Sequence, residues 1–225
     1  MRLSLRLDSS QARRVSLALL CFVLIALDVM SGGLVSNFDQ TLREWVQPQP
    51  VSVASWLGLA RDLGKPGFSA ALLGIAGAVA SHLLWKIWPF VFAATVFLVT
   101  EGLVYLTKTV VGREGPGVWV DRADYPGYYP SGHTALAAVC AGSVVFLALL
   151  CQGGVRDVAR AAAFGSGSGM LVGALAAWHS EVGDFHWLSD GLGGLLLAYC
   201  VLTLAFAVVQ ANDRHPGKIG RPHRR

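Results

Sequence analysis

Residues 129–151 read YPSGHTALAAVCAGSVVFLALLC: a polar pentad, Tyr129 to His133, followed by eighteen residues without a charge. Such a run, wound as a helix, crosses a hydrocarbon core about 30 Å thick. Pro130 stops the preceding loop and Ser131 is a good helix N-cap, so the helix is expected from about Gly132 to Cys151. Five more stretches of similar character lie around it: about Val15–Val35, Gly67–Leu84, Trp88–Thr107, Val158–Trp178 and Leu188–Gln210. Asp28 lies inside the first and Glu101 inside the third. The expected fold is therefore all-α, a polytopic membrane protein with six transmembrane helices. It is organised as one integral membrane domain over residues 1–225, with residues 211–225 as a basic cytoplasmic tail.

Composition agrees. Of the 225 residues, 54% are hydrophobic and 14% charged, against about 25% charged in soluble domains. Disorder, a coiled coil and a charge-covered nucleic-acid-binding domain are excluded. The eighteen basic residues set a topology. With the N-terminus in the cytoplasm, the inner segments hold Arg2, Arg6, Arg13, Arg14, Lys86, Arg156, Arg160, Arg214, Lys218, Arg221, Arg224 and Arg225. The outer segments hold Arg43, Arg61, Lys65, Lys108, Arg113 and Arg122. This twelve-to-six split follows the positive-inside rule and places both termini in the cytoplasm of a multi-pass plasma-membrane protein. The basic pI is thus a topology signal, and no nucleic acid is expected as a partner. A cleaved signal peptide is the alternative for the first stretch, whose length favours a span. The segment from Asp39 to Gly64 mixes polar and apolar residues with Trp45 and Trp56, as a short amphipathic helix on the membrane surface would. Cys21, Cys140, Cys151 and Cys200 lack metal-ligand spacing and read as buried small hydrophobes.

Under this topology Lys108, Arg113, His133, His179, His186 and Asp190 gather at the outer ends of spans three to six. Polar groups converging on one end of an apolar bundle make a site. At Ser131-Gly132-His133 the backbone amides of a helix N-terminus would face outward, where an anion such as phosphate is favoured. An ordinary N-cap with an interfacial histidine would look the same. His186 and Asp190, spaced i, i+4, share a helix face. A carboxylate on one imidazole nitrogen fixes the tautomer and leaves the other as a directed lone pair, although a structural pair would have this spacing too. Lys108 and Arg113 supply cations, and Glu101, seven residues before Lys108, lies beneath it on the same helical face.

The order Lys108, Arg113, Ser131-Gly132-His133, His186, Asp190 resembles the type-2 phosphatidic acid phosphatase (PAP2) superfamily. That family carries Lys, six residues, Arg-Pro; then Pro-Ser-Gly-His; then Ser-Arg, five residues, His, three residues, Asp. The second block is complete here. In the first, Lys108 and Pro116 are in register, Gly115 stands at the arginine position, and Arg113 is the nearby substitute. In the third, His186 and Asp190 are in place, but His179 and Ser180 stand where Ser-Arg belongs. One phosphate-binding arginine is therefore missing, with Arg122 or His179 as possible compensation.

The resemblance implies an outward-facing, metal-independent phosphatase acting on a membrane lipid phosphate or diphosphate: phosphatidic acid, phosphatidylglycerol phosphate or a polyprenyl carrier. His186, held by Asp190, would attack phosphorus to give a phosphohistidine, and His133 would serve as acid and then base. Lys108, Arg113, Ser131 and Gly132 would bind the phosphate oxygens, with His179, Ser180, Arg122 and Glu101 as support. No cofactor is expected. The competing readings are a lipid phosphotransferase using the same intermediate, a non-catalytic lipid-binding relative, a metal site built from His133, His179, His186 and Asp190, and a transporter using Asp28 and Glu101.

Overall fold

The computed structural model describes residues 7–46, 55–116, 125–153 and 158–213. Among them are eight helices and no strand: α1 (Ser9–Ser31), α2 (Leu34–Val46), α3 (Ser55–Asp62), α4 (Pro66–Leu84), α5 (Trp88–Val111), α6 (Gly132–Gly153), α7 (Val158–Val182) and α8 (Leu188–Asp213). Six of these, α1 and α4 to α8, are long and apolar enough to cross a membrane. The chain is a multi-pass membrane protein with the all-helical architecture expected from its sequence.

Local chemistry sets the helix ends. The Asp8 side chain accepts from the Ser10 and Gln11 amides while Gln11 reaches back to the Asp8 amide, a capping box that starts α1. Pro66 opens α4 at a position whose amide would have had no partner. Gly112, with φ of +58°, ends α5 and turns the chain so that Lys108 sits in the last helical turn and Arg113 just beyond it.

The first span corrects the sequence boundary. It was expected over Val15–Val35, but the helix runs Ser9–Ser31 and stops at Gly32, which adopts the left-handed conformation. Hydropathy does not register this stop, because the following Leu34 and Val35 are apolar. The Asp28 side chain accepts from the Val35 and Ser36 amides at 2.8 and 3.2 Å, so this intramembrane acid caps the next helix. The segment read as one amphipathic helix over Asp39–Gly64 holds parts of two: α2, which already begins at Leu34, and α3. The tail from residue 214 onward lies outside the described residues.

Helix α6 is the most deeply buried span. Its Phe146 stacks on Phe206 of α8 with ring centroids 4.3 Å apart, and Phe92 of α5 closes the cluster at 5.4 Å from Phe146. Against α7 the contact is backbone to backbone: a Cβ on Gly165 would lie 2.7 Å from the Gly142 carbonyl oxygen. Small residues give spans this close approach where lipid supplies no hydrophobic drive for association. Outward, Leu17, Leu20, Leu24 and Leu27 of α1 are each more than half exposed, as suits a surface that meets acyl chains. Gly165→Leu is expected to wedge α6 from α7 and destabilise the protein by about 1–3 kcal/mol. A lowered melting midpoint in detergent would report this; an unchanged midpoint would contradict the packing.

Candidate active site

The site forms where α5, α6 and α8 end or begin on the same side of the bundle. The loop before α6 is anchored on α8. Ser131 donates its amide to the Asp190 carbonyl at 2.8 Å, and the buried Tyr129 hydroxyl donates to the Phe22 carbonyl of α1, also at 2.8 Å. This approach requires glycine on α8: a Cβ on Gly193 would meet the Tyr129 ring at 2.5 Å, and one on Gly194 the Ser131 carbonyl at 2.6 Å. The Gly191-Leu192-Gly193-Gly194 run is thus a docking face that fixes the loop relative to Asp190. Ser131 sits directly before α6 and its hydroxyl accepts from the Thr134 side chain at 3.1 Å, while His133 stands partly exposed in the first turn.

His186 and Asp190 meet as their spacing predicts, with Nδ1 3.1 Å from Oδ2. Asp190 is fully buried, and the same oxygen accepts the Trp187 amide at 3.1 Å. Its other oxygen accepts from Arg113 at 2.6 Å. A carboxylate with this many donors is the ionised acceptor, so the imidazole donates its Nδ1–H and Nε2 keeps the lone pair. Burial pushes the pKa of His186 down from its ordinary value, with Asp190 opposing that shift, so the neutral ring prevails at neutral pH. The Tyr128 ring stands edge-on to His186 at 5.4 Å. The Ser180 carbonyl accepts the Phe185 and His186 amides at 2.9 and 3.3 Å, forming the turn that presents His186.

Arg113 is buried between two carboxylates. It donates to Asp190, to the Ser189 hydroxyl and to Asp39 of α2, each at 2.6 Å. Asp39 is 1% exposed and also accepts the Ser189 amide at 3.1 Å and the Ser189 hydroxyl at 2.5 Å. The guanidinium expected on the phosphate is therefore engaged in holding Asp190. Lys108 is buried too: its ammonium donates to the Gly127 carbonyl at 2.6 Å and to the Tyr125 hydroxyl at 2.8 Å.

The remaining expected residues are more peripheral. Glu101 makes no hydrogen bond or ion pair to Lys108 among the described residues and acts on it only through its field. The His179 ring stacks against Phe185 with centroids 6.3 Å apart, and its buried Nδ1 has no hydrogen-bond partner among the described residues. The Ser180 hydroxyl donates to the Ala176 carbonyl within its own helix. Arg122 lies outside the described residues. Gly115 has a steric explanation: a Cβ there would meet the Tyr128 ring at 2.5 Å, so an arginine cannot stand at that position while Tyr128 packs as it does. Among the described residues, no three His, Cys, Asp or Glu side chains are grouped to hold a metal ion.

Sequence reasoning missed Asp39, Ser189, Tyr128 and Arg61. A signal for Asp39 existed. It falls on the same face of α2 as Val35, Leu42 and Val46, all at least partly buried, and an acid on an inward face needs a cation.

Comparison with known proteins follows the same lines. A family model described as the PAP2 superfamily matches residues 86–214, more than half of the 225-residue chain. The fold is similar to the crystal structure of a transmembrane PAP2 type phosphatidylglycerolphosphate phosphatase from Bacillus subtilis. That similarity has a TM-score of 0.71 at 18% identity and covers 94% of this chain and 99% of the other. No curated protein matches. Motif order, helical architecture and family match agree: the chain belongs to the PAP2 superfamily.

Proposed function

We propose that this protein is a membrane lipid phosphatase that hydrolyses a phosphate monoester or diphosphate through a phosphohistidine on His186. The observation that carries this reading is the buried relay in which Asp190, fixed by Arg113, holds the neutral imidazole of His186 by Nδ1. Nε2 would attack phosphorus as the P–O ester bond breaks, and His133 would give its proton to the departing oxygen. His133 would then take a proton from water, whose oxygen displaces His186 as the P–N bond breaks, releasing phosphate. The Lys108 ammonium and the amide end of α6 at Gly132 would face the charge that builds on the non-bridging oxygens. Arg113 enters this scheme as a positioning residue, a change from the phosphate contact expected of it.

Location supports a lipid substrate. The groups lie at the ends of membrane-spanning helices, where phosphorylated head groups lie and their chains stay in the bilayer. Phosphatidic acid, polyprenyl phosphates or diphosphates, and phosphatidylglycerol phosphate, the substrate in the neighbour's name, all meet that requirement. The basic-residue distribution supports cytoplasmic termini and an outward-facing site. Protein donors supply the charge stabilisation, so activity is expected to persist in chelator.

Purified protein in detergent with excess chelator is expected to release phosphate from at least one of these lipids. His186→Ala and His133→Ala should each abolish release while retaining the wild-type melting midpoint; full activity in either would overturn the mechanism. Asp39→Ala should remove one anion from Arg113 and cost about 3–5 kcal/mol of stability, because a buried ion pair is broken from one side. It should also lower kcat more than it changes KM, since Asp39 touches no substrate. A variant with wild-type melting and kcat would show that Asp39 positions nothing.

A further inference from the structure

Arg61 is a half-buried cation that no part of the scheme above uses. It lies in the last turn of α3, four residues after the buried Leu57, and so shares the inward face of that helix. Its Nε is buried and has no hydrogen-bond partner among the described residues. Among the described residues no carboxylate forms an ion pair with it, and the adjacent Asp62 is taken by Lys65 at 2.8 Å. The guanidinium carbon stands 4.3 Å from the centroid of the Phe185 ring, a cation–π contact. A buried N–H donor without an acceptor is costly unless an anion arrives.

Its surroundings say where that anion would sit. Phe185 immediately precedes His186. Three residues after Arg61, a Cβ on Gly64 would collide with the His133 carbonyl oxygen, and three residues before it, a Cβ on Gly58 would lie 3.7 Å from Nε2 of His179. The end of α3 is therefore lodged between the start of α6 and the end of α7, beside His133 and His179. The other guanidinium at the site, Arg113, is committed to Asp39, Ser189 and Asp190.

We infer that Arg61 is a phosphate-binding residue of this site, donating its N–H edge to the non-bridging oxygens of the transferring phosphoryl group opposite Lys108. The inference rests on the phosphatase reading and adds to it a ligand from a helix outside the three motif blocks. A planar guanidinium matches two phosphoryl oxygens at once, and in a site shielded from water its charge acts at full strength on the transition state.

The test uses the full chain in detergent, the lipid phosphates named above and orthovanadate as a phosphoryl probe. Arg61→Gln is expected to lower kcat about 100-fold, with a smaller change in KM. It should also lose the rise in melting midpoint that vanadate gives the wild type, while melting normally without it. Lys65→Gln, which removes an exposed cation from the adjacent turn, should retain wild-type kinetics. Arg61→Gln with wild-type kcat and undiminished vanadate stabilisation would overturn the assignment and leave the phosphatase reading standing. A wild-type protein that releases no phosphate from any of these lipids would overturn both. If Arg61→Gln does not fold, Arg61→Lys carries the test: a kcat about tenfold lower at unchanged melting midpoint supports the assignment, and wild-type kcat overturns it.

Discussion

Arg113 between Asp39 and Asp190 is the constraint on which the rest of the site depends. Two carboxylates and one guanidinium are removed from water together, with the Ser189 hydroxyl donating to Asp39 at 2.5 Å and accepting from Arg113 at 2.6 Å. A buried ion cluster of this kind adds little net stability compared with a well-packed apolar core, since desolvation offsets most of the Coulomb gain. Its value lies in geometry. The cluster joins α2, the end of α5 and the start of α8 and fixes one oxygen of Asp190, while the other, held by the Trp187 amide, meets Nδ1 of His186 and sets its tautomer. Removing a partner leaves a buried charge unanswered, so the arrangement resists distortion even though it contributes little to folding.

The same cluster explains a division of labour between cations. An arginine that neutralises two carboxylates cannot also serve fully as a phosphate clamp, so in the proposed mechanism Arg113 supports His186 and the clamp comes from elsewhere. Tyr128 accounts for the vacancy in the first motif: its ring occupies the space a side chain at Gly115 would need and instead lies edge-on to His186. In the third motif the carbonyl of Ser180 builds the turn that carries His186, while the His179 ring stacks on Phe185. Arg61, in contact with the Phe185 ring and without a counter-ion among the described residues, is the cation inferred to fill the place these departures leave.

Hydropathy alone made the six spans legible, because uncharged runs of helical length have few other fates. Periodicity made the His186–Asp190 pair legible, because an i, i+4 spacing at a helix start leaves little freedom. The end of α1 was not legible: the apolar run continues through Gly32 and Gly33, and the stop depends on a backbone conformation and on Asp28 capping α2. Asp39 and Arg61 were harder still. Asp39 is 150 residues from Ser189 in sequence, and Arg61 is separated from His186 by four helices, so their meeting is a property of packing. What the sequence does carry is each residue's helical face: Asp39 aligned with Val35 and Leu42, Arg61 with Leu57. A charge on an inward face announces a partner without naming it.

The central claim is that the relay from Asp39 through Arg113 and Asp190 holds His186 as a nucleophile. It is tested most directly by quenching turnover in alkali, where phosphohistidine survives, and locating the phosphate by peptide mass spectrometry. The His133→Ala variant should be included, because loss of the base would slow hydrolysis of the intermediate. The account predicts a phosphate adduct on His186 and on no other residue. An adduct elsewhere, or turnover with none at any time point in either protein, would contradict it.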